Sequence, residues 1–312
     1  MTLQGFIVAH GTEEQCLSAL IAKRWPQGWS CPHCGGNRHY RLKTRRALQC
    51  AQRGCRKQTS ITAGTLFDGL KQPLPKIFTA IALMTDKQGI SAEALRKAIG
   101  CAYDTAFTLL HRLRRAMAER DQRYLLMGEL EVDDAYVGGH GDGRHRSGRA
   151  RDSKRVIGVA VERRGINRSG YIHIEALPAA DAEALHGMLL EKVRRGANVH
   201  TDGWTGYHGL ATKGFVHLPV VSLGGAAACV TWPLVHRAIS NFTRWLLGTH
   251  RQFCQRHLDS YAAEFCWRIN RRNASKQERQ TNQRELTLPD RLLAHACGTR
   301  PRRRMAAMAV AA

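Results

Sequence analysis

The spacing of apolar residues changes twice along the chain. Residues 40–43 and 47–49 form short β-prone pieces. From Pro73 to Met117 apolar residues recur every three or four positions, which predicts helices, and Ser91 and Gly100 are placed to begin and end one of them. From Glu129 onward strand-like apolar runs alternate with helical stretches. The pattern therefore predicts three regions, at residues 13–70, 71–122 and 128–293.

The third region has an informative order of elements. We predict strands at Leu130–Val137, Arg155–Val161 and Tyr171–Ala176, a helix at Ala179–Arg194, strands at Asn198–Thr201 and Phe215–Val221, and helices at Leu234–Leu247 and Arg256–Arg271. Three strands, a helix, two further strands and then helices is the order of an RNase H-like fold. We therefore expect a multidomain chain whose third region is an α/β domain of that class.

Four of the ten cysteines occur in two close pairs. Cys31 and Cys34 are separated by two residues, and Cys50 and Cys55 by four. A tetrahedral Zn²⁺ needs four soft ligands brought together by tight turns, and two such pairs supply them. Neighbouring histidines could replace a ligand, but we expect four thiolates. The region is too small to fold by apolar burial alone, so the zinc would be structural and residues 13–70 a zinc ribbon.

The charge of the chain indicates its partner. Lys and Arg total 48 against 25 Asp and Glu, which gives a formal net charge of +23. A field of that sign favours a polyanion, and nucleic acid is the usual one. The chain has no apolar run of about 18 residues and no features of a signal peptide, and six cysteines are scattered. We expect a cytoplasmic DNA-binding protein without a membrane partner.

Two aspartates lie where predicted strands end. Asp133 precedes a Gly-Gly break, and Asp202 closes a second short apolar run. Hard cations take oxygen ligands, and metal ions held by carboxylates can activate the attacking and leaving oxygens of a phosphodiester. Asp134 should point to the opposite face of its strand. Trp204 and Tyr207, just after Asp202, either stack on an unpaired base or pack in the core.

Together with longer motifs, these residues carry a resemblance. The matching segments, which fall between roughly residues 25 and 293, are CPHCGG, QCAQRGCRKQTSITAGTLF, GELEVDDAYVGG, HTDGWTGYHGL, VHRAISNFTRWLLGTH and EFCWRINRR. In them the chain resembles insertion-sequence transposases of the DDE superfamily, in the group with an ISXO-like catalytic domain and an N-terminal zinc ribbon. The resemblance implies an enzyme that cuts transposon ends and joins them to target DNA with Mg²⁺ or Mn²⁺. It also implies terminal inverted repeats and target DNA as partners, a homo-oligomer on DNA, and association with the bacterial nucleoid.

The resemblance places the third catalytic metal ligand, after Asp133 and Asp202, on Asn241. A neutral amide oxygen can ligate Mg²⁺, although it brings less charge than a carboxylate. Glu264, on the next predicted helix, is the alternative third acid. Family members commonly carry Lys two residues after the Asn, where this chain has Thr243. The alternative function is therefore a catalytically decayed relic that acts only as a zinc-ribbon DNA-binding protein.

Basic residues predict where DNA would bind. The helices of residues 71–122 have the outline of a helix-turn-helix, although any small helical bundle could share it. Between the first two strands of the third region lies a loop rich in Gly and Arg, which suits phosphate binding. The candidate DNA-binding residues are Arg112, Arg115, Arg144, Arg146, Arg149, Arg151, Arg237 and Arg244. Residues 294–312 are predicted to be a disordered basic tail.

Overall fold

The computed structural model describes residues 2–138, 154–165, 167–220, 231–251, 253–272 and 287–300. The chain divides into two compact units. The first comprises Met1–Ala116 and Arg284–Ala312, and the second comprises Met117–Gln283. Within the described ranges, no helix has both the length and the apolar character needed to cross a membrane.

The first unit begins with two helices and a small sheet. These elements are α1 (Leu3–Ala9), α2 (Glu13–Arg24), β1 (His39–Arg41), β2 (Ala47–Cys50) and β3 (Gln58–Ser60). Helix α2 begins at a capping box, in which the Thr12 side chain accepts from the Gln15 amide and the Gln15 side chain accepts from the Thr12 amide. The three strands are antiparallel in the order β1-β2-β3. The predicted ribbon is therefore present.

Three helices follow in sequence, α3 (Leu74–Thr85), α4 (Ala92–Ile99) and α5 (Tyr103–Asp121). The Ser91 hydroxyl accepts a hydrogen bond from the Ala94 amide and caps α4. Gly100 ends α4 in the left-handed conformation, with φ +59°. The predicted start and end of this helix are both observed. Recognition of DNA by the α4–α5 pair remains a prediction.

The C-terminal part of the chain differs from the expectation. Helix α9 (Leu288–Gly298) crosses the predicted boundary at residue 293 and belongs to the first unit. Its residues Leu292, Leu293 and Ala296 are fully buried, and the helix contacts α2 and α3. Residues 294–298 are thus helical rather than part of a tail, because α2 and α3, which are distant in sequence, pack against the apolar face of α9. Residues 301–312 lie outside the described part.

Among its described residues, the second unit contains a five-stranded mixed sheet and three α-helices. Its elements are β4 (Glu129–Gly138), β5 (Lys154–Arg163), β6 (Ser169–Leu177), α6 (Ala182–Lys192), β7 (Asn198–Asp202), β8 (Val216–Val220), α7 (Pro233–His250) and α8 (Leu258–Arg272). The strand order is β6-β5-β4-β7-β8, with antiparallel pairing on the β6 side of β4 and parallel pairing on the β8 side. The order of elements along the chain agrees with the prediction.

Each face of this sheet carries its own core. Leu130 and Val132 of β4 pack with residues of α6, including Leu185 and Leu189. Residue Val137, on the other side of the same strand, packs with residues of α7 and α8. Odd-numbered residues of β4 therefore face α7 and α8, while even-numbered residues face α6.

Candidate active site and zinc site

The four cysteines of the ribbon converge on one point. Their Sγ atoms all lie within 4.8 Å of one another. The Sγ atoms of Cys31 and Cys55 are 3.6 Å apart, and those of Cys34 and Cys50 are 3.5 Å apart. Zn–S bonds of about 2.3 Å in a tetrahedron give sulfur–sulfur distances of about 3.8 Å. The thiol spacing therefore fits a single zinc ion.

The backbone shapes the first cysteine pair into a tight turn. The Cys31 amide donates to the Gly36 carbonyl, and the Gly35 amide donates to the Cys31 carbonyl, both at 2.9 Å. Gly35 has φ +72°, and a Cβ on Gly36 would lie 2.7 Å from Gln52 Cγ. Burial raises the pKa of the Cys31 thiol, but hydrogen bonds from backbone amides and neighbouring thiols outweigh it and lower the pKa to about 7. The thiolate needed for metal binding is thus accessible near neutral pH.

Asp202 ends β7 as expected, but Asp133 lies in the middle of β4, because the strand continues to Gly138 beyond its parallel pairing with β7. Strands β4 and β7 are parallel, with Glu131 opposite His200. Paired residues of parallel strands point to the same face, and the side chains alternate along each strand. Two residues beyond that pair, Asp133 and Asp202 both face α7. Asp134 faces the α6 side, as predicted, where its Oδ1 accepts from the Tyr207 hydroxyl at 3.4 Å.

These carboxylates perturb one another. Burial raises the pKa of Asp133 to about 7, the charges of Asp134 and Asp202 add to the rise, and a hydrogen bond from the Asp134 amide opposes it. Burial, followed by the charge of Asp202, also raises the pKa of Asp134. Burial and then the three carboxylates raise the pKa of Tyr207, so its phenol stays neutral and donates. This concentration of negative potential favours a cation.

Helix α7 approaches the aspartates from one side of the sheet. His236 Nδ1 lies 3.7 Å from Asp133 Oδ2. Further along the helix, Asn241, Arg237 and Arg244 are all exposed. Glu264, the alternative third acid, is fully buried on α8, and its Oε1 lies 3.5 Å from Arg268 Nη1.

The turn after Asp202 is built around an aromatic ring. The Trp204 amide donates to Asp202 Oδ1 at 3.2 Å and so orients the carboxylate. The Trp204 ring covers Gly206, where a Cβ would lie 2.1 Å from the ring. Trp204 is 37% exposed, whereas Tyr207 is fully buried. Tyr207 therefore packs in the core, and of the two rings only that of Trp204 is accessible to a base.

The candidate DNA-binding arginines fall into three groups. Arg112 donates to the Asp68 carbonyl at 3.0 Å, and Arg115 donates to the Arg300 carbonyl at 2.6 Å. Both guanidinium groups therefore have acceptors within their own unit. Arg237 and Arg244 are exposed on α7. Arg144, Arg146, Arg149 and Arg151 lie outside the described residues.

Two residues near the site were not predicted from the sequence. Glu131 is fully buried on β4, two positions before Asp133, and His236 contacts Asp133 from α7. The available sequence pattern was the acidic residue between the apolar Leu130 and Val132. A charged residue on the buried face of a strand indicates a specific partner, since charge is rarely buried unpaired.

Comparison with known proteins gives two family matches. Residues 125–270 match the ISXO2-like transposase domain, and residues 11–58 match the transposase zinc-ribbon domain. Among solved structures, the crystal structure of the Mos1 mariner paired end complex with Mn is 12% identical over 71% of this chain and 78% of that chain. The TM-score of this match is 0.29, which is too low to indicate a shared fold. No curated protein matches the chain.

Proposed function

We propose, because the chain belongs to the ISXO2-like transposases with an N-terminal zinc ribbon, that it cuts the ends of an insertion sequence and joins them to target DNA. The reaction is metal-dependent phosphodiester transfer of the DDE type. The observation that carries the proposal is the position of Asp133 and Asp202 on one face of adjacent strands, each two residues beyond the parallel pair Glu131–His200. The strand order β6-β5-β4-β7-β8, with its antiparallel and parallel halves, supports an RNase H-like domain.

Asp133, Asp202 and Asn241 would hold the catalytic Mg²⁺ or Mn²⁺. The bound metal would supply the charge that activates the attacking oxygen and stabilises the leaving one. Burial and two neighbouring carboxylates disfavour the ionised form of Asp133. A divalent cation between these groups would remove that penalty, so the site is better suited to a cation than to solvent alone.

Asn241 is the better third ligand on physical grounds. Its side chain is exposed on α7, where a metal ion can reach it. Glu264 is buried and paired with Arg268, so recruiting it to a metal would leave Arg268 as a buried charge without that carboxylate. The amide oxygen of Asn241 brings no charge, and the two aspartates would supply all the negative charge of the site.

The DNA partner is supported by the charge of the chain. A net charge of +23 favours a polyanion, and Arg237 and Arg244 are exposed on the helix that carries Asn241. The zinc ribbon and the α4–α5 pair would recognise the terminal repeats, and the Arg-rich segment 144–151 would contact phosphates. A homo-oligomer would hold two transposon ends together in the bacterial nucleoid.

Cleavage and strand transfer on the element's own terminal repeat test the proposal. With Mg²⁺ or Mn²⁺, Asp133→Ala, Asp202→Ala and Asn241→Ala should each abolish cleavage and leave DNA binding intact. Asp134→Asn, on the opposite face of the strand, is the matched control and should retain cleavage. A wild-type chain that binds the repeat but never cuts it would instead indicate a decayed relic. If Glu264→Gln folds but is inactive while Asn241→Ala is active, the third ligand is Glu264 and not Asn241.

A further inference from the structure

Glu131 is a charged residue in the interior of the second unit. Its side chain has no exposed surface. Removing a carboxylate from water is costly unless hydrogen bonds and an opposite charge compensate. Glu131 Oε2 accepts from the amides of Leu234 and Val235, at 2.8 and 3.0 Å, and Oε1 lies 3.5 Å from Arg163 Nε. The compensation comes from the first turn of α7 and from β5.

The first turn of α7 depends on this carboxylate. Helix N-termini leave several amides without partners inside the helix. Trp232, at the N-cap, provides no side-chain hydrogen bond, and the next residue, Pro233, has no amide hydrogen. The amide of His236 donates to the Trp232 carbonyl at 3.3 Å. The remaining two amides, of Leu234 and Val235, both donate to Glu131.

The same contacts connect two elements of the proposed metal site. Glu131 precedes Asp133 by two residues and shares its face of β4. Val235 precedes His236, whose Nδ1 lies 3.7 Å from Asp133 Oδ2. The Glu131 carboxylate thus sets the position of α7 along β4 directly beside the aspartate. Asn241 lies on the same rigid helix, so its position depends on the same anchor.

We propose that Glu131 is a positioning residue, which anchors α7 to β4 so that Asn241 and Asp133 can bind one divalent metal ion. The inference rests on the proposed function. Glu131 contacts the helix rather than the metal, so it acts through Asn241 and His236. Changes in groups that orient metal ligands lower metal affinity or activity by about 10–100-fold.

Direct binding of Mn²⁺ to the zinc-loaded full-length chain, followed by electron paramagnetic resonance, tests this role. Glu131→Asp keeps the charge but shortens the reach by one methylene, so Mn²⁺ affinity should fall at least about 10-fold. Asp181→Ala is the matched control. Asp181 caps α6 by accepting from the Ala184 amide at 2.9 Å, and α6 carries none of the proposed metal ligands. Its loss should lower the melting temperature and leave Mn²⁺ affinity unchanged.

The outcomes separate this inference from the proposed function. Wild-type affinity in Glu131→Asp, or an equal loss of affinity in Asp181→Ala, overturns the positioning role. If Glu131→Asp does not fold, Glu131→Gln decides, because it keeps the reach but weakens the charge-assisted bonds. A loss of affinity there supports the role, and wild-type affinity overturns it. If Asp133→Ala binds Mn²⁺ as the wild type does, the proposed metal site is wrong and the inference falls with it.

Discussion

Replacing Asp133 by asparagine should stabilise the chain at alkaline pH when no divalent metal is added. Burial, aided by the charges of Asp134 and Asp202, raises the pKa of this carboxyl from 3.8 to about 7 against the hydrogen bond from the Asp134 amide. A carboxyl whose pKa is higher in the folded state binds its proton more tightly there. The stability that Asp133 contributes is therefore fully present below about pH 4 and is lost as the pH rises through 7. Asparagine is isosteric and never ionises.

The size of the effect follows from the pKa. One pH unit corresponds to about 1.4 kcal/mol, so the full rise corresponds to about 4 kcal/mol, of which about 2.6 kcal/mol is lost between pH 5 and pH 8. The Asp133 side chain is 21% exposed, and water therefore screens part of the interaction. We expect the stability advantage of Asp133→Asn over the wild type to grow by about 2 kcal/mol from pH 5 to pH 8.

Urea denaturation of the zinc-loaded full-length chain at both pH values measures this difference. Asp181→Asn, at a cap remote from the three carboxylates, should show no comparable growth. Addition of Mn²⁺ at pH 8 should stabilise the wild type much more than Asp133→Asn, because the cation replaces the proton. An advantage that stays constant or shrinks as the pH rises would refute the reasoning.

Three further predictions follow from other parts of the molecule. Cys34→Ser should lower bound zinc from about one ion per chain and lower the melting temperature of the ribbon, and unchanged zinc on metal analysis would contradict the site. Gly206→Ala should destabilise the chain by about 1–3 kcal/mol in urea, because its Cβ would lie 2.1 Å from the Trp204 ring. Gly187→Ala, on α6 where a Cβ meets nothing within 4 Å, is its control and should be neutral or stabilising. Affinity for duplex DNA should fall by about 10³-fold between 50 and 200 mM salt if six or more phosphates are neutralised, and a flat dependence would exclude a mainly electrostatic interface.

Local patterns in the sequence were enough to predict most elements and the convergence of the four ribbon cysteines. Ser91 and Gly100 delimit α4 as expected, because caps and left-handed turns depend on a few adjacent residues. The four ribbon cysteines lie within 4.8 Å of one another, since two close pairs need only one hairpin to meet. The face of Asp134 also followed from strand alternation alone.

Longer-range features depended on the tertiary structure. Helix α9 belongs to the first unit because α2 and α3, which lie far before it in the sequence, supply its apolar partners. The pairing of Glu131 with the start of α7 joins residues that no short pattern connects. The raised pKa of Asp133 likewise requires burial and two neighbouring charges. Sequence periodicity determines which face of an element is apolar, but only packing determines which other face covers it and which charges are thereby brought together.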